Sequence, residues 1–254
     1  MAAGSSSTLR GFAAVFVAGG LAGLLVGGLG SRVAMRIAAL AARGGAQGLT
    51  TEAGATVGRI TLEGTVFLVL FAGVGSALVG TAFYLTTRAW LPRPRWVRAL
   101  AFGGLELAVF GTTLLDPGNP DFTILGQPLL NVLLFGSLFV LHGVVLVMLV
   151  EPCGRLVSMF ASGGRWRARL VNVATFAAMA VTAFGVVALV ARSSGWATLV
   201  MIVLVVCAVG LALIDPRRAR PITRPTLRVV GAIALVIIAV SGTLDLLDAV
   251  TTIA

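Results

Sequence analysis

Two side chains lie where ionisable groups are rare. Glu106 falls eight residues after Arg98 in the apolar run AFGGLELAVF, and His142, the only histidine, falls nine residues before Glu151 in LFVLHGVVLVMLV. At a helical rise of about 1.5 Å per residue, each sits about 12–14 Å from the neighbouring charge, close to the middle of a hydrocarbon layer about 30 Å thick. A lone carboxylate at that depth is costly, so a partner or a water-filled cavity is expected. The two runs are consecutive and share a short link. As antiparallel neighbours they would bring Glu106 to His142. Two readings follow. One is a proton-handling or ligand-binding pair, with Glu106 as acceptor and His142 as the titrating group. The other is a hydrogen-bonded pair that only fixes the register of two helices.

A polar stripe extends from this pair. Asn131 precedes His142 by eleven residues, within about 20° of it on a helix, and Thr113 stands on the Glu106 side by the same count. The stripe ends at DPGNPDF, residues 116–122, where Asn119 and Asp121 sit at its mouth. Asp116-Pro117-Gly118-Asn119 has the composition of a type II turn. More charges are expected at that level: Arg32 and Arg36, Arg59 and Glu63, Asp245 and Asp248. Arg32 and Arg36 share a helix face, as do Asp245 and Asp248. Each pair suits a partner of opposite charge or a ligand group, or else simple anchoring at the ends of spans.

Other chemistries fit poorly. There is no lysine, which excludes a retinal or pyridoxal Schiff base. One histidine excludes bis-histidine haem and histidine-rich metal sites. Ser76 in GVGSALVG could imitate a serine protease dyad with His142, but glycine beside serine is commonplace in membrane helices. Asp116, Asn119 and Asp121 offer oxygen ligands without the spacing of a calcium loop. Without GxxxxGK[ST] the chain has no phosphate loop for ATP. No metal and no cofactor are expected. Cys153 and Cys207 read as small apolar residues.

The elements that position these groups follow from composition. Of 254 residues 58% are hydrophobic and 11% charged, with mean hydropathy +1.05. That is the balance of an all-α, polytopic membrane bundle, since single spans in lipid must satisfy their own backbone hydrogen bonds. Length and charge mark seven predicted spans, at about 11–30, 60–86, 97–115, 128–150, 170–191, 196–214 and 229–247. They form one domain, 1–254, with residues 1–9 a disordered tail, four polar-bearing spans in 11–150 and three plainer ones in 151–254. The run of about 20 apolar residues in the first span exceeds a signal-peptide core, so that span is expected to be retained.

The net charge of +10 does not point to nucleic acid, because the arginines crowd the short loops. With the N-terminus inside, fourteen of 19 fall on the inner side, which favours N-in and C-out. WLPRPRW and RWRAR mix tryptophan with arginine, a pattern suited to anionic lipid headgroups. Gly19, Gly23 and Gly27 form a small-residue ridge, either for packing inside the bundle or as a homo-oligomer seam. The leading expectation is a permease-like or small-solute-binding protein of the bacterial cytoplasmic membrane, with a polar path from the outer face to mid-membrane. The alternatives are an intramembrane enzyme with acid/base chemistry on a lipid-soluble substrate, and a non-catalytic scaffold or accessory subunit.

Overall fold

The computed structural model describes residues 2–42, 48–49, 61–119, 127–192, 196–213 and 223–253. They are mostly helical, without a strand among the described residues. The α-helices are α1 (Ala2–Ala22), α2 (Ser31–Ala41), α3 (Leu62–Leu68), α4 (Gly75–Thr87), α5 (Arg95–Phe110), α6 (Pro128–Ser162), α7 (Arg165–Arg192), α8 (Trp196–Leu213) and α9 (Thr223–Ile253). Wider π-helical segments, Gly23–Gly30 and Val69–Val74, join α1 to α2 and α3 to α4 into two continuous rods.

Among the described residues, four helical stretches are long and apolar enough to cross a membrane: Thr8–Ala41, Leu62–Thr87, Pro128–Ser162 and Pro225–Ile253. Several boundaries differ from those read in the sequence. The helix begins at Ala2 and takes in residues expected as a disordered tail. The expected third span stops as α-helix at Phe110 and continues as a 3-10 turn, Gly111–Thr113. The fourth runs past Val150 to Ser162. Arg59 and Asp121 lie outside the described residues.

The bundle has two chemically distinct ends. At one, the Arg88 guanidinium lies 5.2 Å from the Phe12 ring centroid, and Trp90 Nε1 donates to the Arg228 carbonyl at 2.8 Å. At the other, Arg32 donates to Thr65 Oγ1 at 2.8 Å, and Gln127 Nε2 to the Ala41 carbonyl at 3.1 Å. Between them α1, α4, α5 and α6 enclose a core that includes Val15, Phe83, Tyr84, Phe102 and Leu146. Phe102 meets Tyr84 edge-on at 5.1 Å, and Phe83 meets Phe110 in the same way.

The glycine ridge is used inside this chain. A Cβ at Gly19 would strike Thr81, one at Gly23 would strike Gly73 and Ala77, and one at Gly27 would strike Ser76 and Ala72. The two rods therefore approach backbone to backbone, which only residues without side chains permit. The two π-helical segments pack on each other at this seam, where the Cβ position of Gly28 lies 3.3 Å from Val69 Cα.

Pro152 sits inside α6. Proline has no N–H, so the carbonyl four residues earlier, that of Met148, loses its helical donor. Arg95 supplies one: its Nη2 donates to the Met148 carbonyl at 2.5 Å, while Nη1 pairs with Glu151 at 3.2 Å. The start of α5 is thereby tied to the proline break in α6. The tie makes a prediction that thermal unfolding in detergent can check. Arg95→Ala should cost about 0.5–1.5 kcal/mol by removing that hydrogen bond. In a Pro152→Ala background, where the helix bond is restored, the same change should cost well under half as much. Equal costs in both backgrounds would refute the tie.

Candidate functional site

Glu106 is carried by α5 and His142 by α6, and the helices run antiparallel in contact. His142 Nδ1 lies 2.9 Å from Glu106 Oε2 and 3.1 Å from Oε1, with the two residues 5% and 2% exposed. The imidazole therefore spans both carboxylate oxygens with one nitrogen. Its other nitrogen, Nε2, is buried and meets no hydrogen-bonding partner within the described chain.

Three glycines make room for this pair. A Cβ on Gly80 of α4 would fall on His142 Cε1 and 2.8 Å from Glu106 Oε1. One on Gly143 would come 3.0 Å from Glu106 Oε2, and 2.6 Å from Gly103 Cα. One on Gly103 would come 2.5 Å from the Val140 carbonyl. The carboxylate and the ring thus fill a slot left by missing side chains on three helices. Of these, Gly103 and Gly143 escaped the sequence reading. The signal available was local: Gly103 precedes Glu106 by one turn, and Gly143 follows His142 directly.

On the arginine-rich side the pair rests on the aromatic core, since Phe102 is one helical turn from Glu106 and fully buried. Toward the other end, Asn131 is fully buried on α6, on the stretch that leads away from His142. Thr113 does not continue the stripe. It is exposed, and its hydroxyl donates to the Phe110 carbonyl. The cause is the 3-10 turn, which changes the angular step after Phe110 and cancels a count based on 3.6 residues per turn. Asn119 closes the outer link, its N–H donating to the Asp116 carbonyl at 3.0 Å. That turn is not type II, because Gly118 lacks the positive φ which type II requires. Instead the Asp116 carboxylate accepts from Gly118 N–H at 2.8 Å.

The end charges stay apart. Arg32 donates through Nη2 to the Thr61 carbonyl and the Thr65 hydroxyl rather than to an acid. Arg36, Glu63, Asp245 and Asp248 are exposed and join no ion pair among the described residues. Ser76 donates to the Gly73 carbonyl at 3.1 Å, while the imidazole of His142 turns to Glu106. A groove of about 260 Å³ lies between α1, α4 and α7, lined by Phe16, Gly20, Leu24, Leu78 and Thr81 among others. It is apolar, and neither Glu106 nor His142 lines it.

What remains chemically is a carboxylate and an imidazole that exchange protons only with each other or through Nε2. With two protons the pair is neutral, and Nε2 carries a donor hydrogen. With one, it bears a negative charge and Nε2 is an acceptor. Burial favours the neutral state, since an unbalanced charge in a low-dielectric core is costly. Removing one partner should therefore hurt more than removing both. His142→Ala is expected to cost about 3–5 kcal/mol in detergent unfolding, and Glu106→Leu with His142→Leu markedly less. A double variant as unstable as the sum of the single changes would show that the pair is not coupled.

No protein-family model, curated protein or solved structure matches the chain.

Proposed function

We propose that this chain is a permease-like, small-solute-binding protein of the bacterial cytoplasmic membrane, crossing it seven times with the N-terminus inside and the C-terminus outside. On this reading Glu106 and His142 hold a proton at the inner limit of a polar path entered from the outer end. The observation that carries it is the buried contact between Nδ1 and the carboxylate, with Nε2 left without a partner among the described residues. A pair built only to lock two helices has no need of a second buried nitrogen in so costly a position.

The seven-span arrangement draws support from α5, α7 and α8, which lie against the four long helices. The distribution of arginine supports the orientation. The aromatic core beneath the pair fits a path closed toward the inner side. Asn131, buried on the same helix, fits its continuation toward the outer side. The two π-helical segments lie at the α1–α4 seam, and departures of this kind from α geometry recur where helices move.

One observation favours the scaffold reading: the three glycines let helices close tightly around the pair, as a structural clamp would require. Acid/base chemistry on a lipid-soluble substrate finds less support, because the pair does not line the lateral groove.

Proton exchange separates the two leading readings. Infrared difference spectra of the protein in liposomes, taken across an acid jump from pH 8 to about pH 5, should show a carboxylic acid carbonyl band. The band should vanish in Glu106→Gln and move in His142→Gln. The same liposomes, loaded with a pH-sensitive dye, should acidify more slowly with Glu106→Gln than with the wild type. A wild-type spectrum without any band dependent on Glu106 would leave the pair a fixed clamp and defeat the permease reading.

A further inference from the structure

The arginines of the basic end fall into two groups with different tasks. In the segment 90–98, Arg95 and Arg98 are engaged within the chain, while Arg93 is exposed. Arg95 serves Met148 and Glu151, and Arg98 donates to the carbonyls of Pro92, at 2.9 Å, and Arg93, at 3.2 Å. Those of RWRAR make no ion pair among the described residues. Arg165 and Arg169 are exposed and form no ion pair or hydrogen bond among the described residues. Arg167 stacks its guanidinium 5.5 Å from the centroids of both Phe160 and Trp166.

The location of this second group follows from helix length. α6 has 35 residues, about 52 Å of helix against about 30 Å of hydrocarbon. Its apolar run ends at Val150, so the part from Glu151 to Ser162 projects past the hydrocarbon before the chain reverses. The reversal uses Gly163 and Gly164, the latter at φ +151°, a conformation that disfavours a side chain. The hairpin tip exposes large apolar groups beside its arginines, Met159 at 66% and Trp166 at 63%. In water such a patch has no reason to persist. In the headgroup layer the rings sit at the polar boundary and the arginine stems lie along apolar surface with their charges outward.

The charge around the tip has one sign. No acidic residue occurs between Glu151 and Asp215, and Glu151 is taken by Arg95 and Arg155. We infer that the α6–α7 hairpin tip is a binding surface for anionic phospholipid headgroups, with Arg165, Arg167 and Arg169 as the phosphate-facing cations and Trp166 as the interfacial anchor. It distinguishes this tip from the segment 90–98, where Arg95 and Arg98 are spent on internal bonds. It stands apart from the transport reading, since it requires only that α6 spans the membrane.

The test uses the full chain, released from nanodiscs of equal phosphatidylglycerol and phosphatidylcholine into a native mass spectrometer, with retained lipids counted by headgroup. Wild type should retain phosphatidylglycerol in preference. Arg165→Gln, Arg167→Gln and Arg169→Gln together should reduce that preference by about fivefold for each arginine removed. The triple lysine variant should keep most of it, and Arg36→Gln at the other end should leave it within about twofold. Unchanged preference in the triple glutamine variant, with helicity intact by circular dichroism, would overturn the inference. So would loss of preference in the lysine variant, which would trace the effect to folding rather than charge. Equal retention of both lipids by the wild type would overturn it in favour of an acidic protein partner.

Discussion

A polar group buried in this bundle has to find its partner inside the chain, because hydrocarbon offers none. The described structure is organised around that constraint. Hydroxyls along the helices return to carbonyls three or four residues back, as Thr87 does to Phe83, Thr175 to Val171 and Thr243 to Ala239. Where proline removes a donor, Arg95 crosses from another helix to replace it. Where α3 begins, Thr61 caps the helix through Gly64 N–H, and its own carbonyl receives Thr65 and Arg32. The few buried atoms that escape this rule stand out against it, and His142 Nε2 is the one attached to an acid–base pair.

Satisfying polar groups across helices demands short distances, and glycine provides them. Gly19, Gly23 and Gly27 bring the first two rods together, while Gly80, Gly103 and Gly143 open the slot filled by Glu106 and His142. The two sets differ in consequence. In the first, contact between backbones is the end in itself. In the second, the missing side chains fix where a carboxylate and an imidazole can lie, so the pair's geometry is specified by residues that have no functional group. A Cβ at Gly80 would displace both members of the pair, whereas Gly104, one residue from Gly103, meets nothing within 4 Å. Identical residues in adjacent positions thus carry unequal constraint.

Much of this could be read from the sequence, for identifiable reasons. Helicity, the long apolar stretches and the depth of Glu106 and His142 depend only on hydropathy and helix rise, which are local and additive. Their contact depended on two consecutive helices running antiparallel, the simplest connection a short link allows. What escaped depended on geometry that is not additive. Thr113 was misplaced because one 3-10 turn breaks the periodicity on which a helical wheel rests. Gly118 was assigned to the wrong turn because Asp116 offers its own carboxylate to the Gly118 N–H, an alternative that composition does not rank. Arg95 looked like one more topology signal, and its role emerges only when Pro152 is seen to strand the Met148 carbonyl. Two long-range facts, neither visible alone, make that interaction.

The same reasoning separates the two ends of the molecule. At the arginine-rich end, Arg95, Arg98 and Trp90 knit loops to helices, and aromatic rings fill the space beneath the Glu106–His142 pair. Little polar surface is left there for a solute to follow inward. At the opposite end, charges of both signs are exposed without ion pairs, and the helices pass through π and 3-10 segments instead of uniform α geometry. If protons reach Glu106, the physically cheaper route is from this second end, along the side of α6 that buries Asn131 and His142. The orientation of the bundle then decides which compartment supplies them.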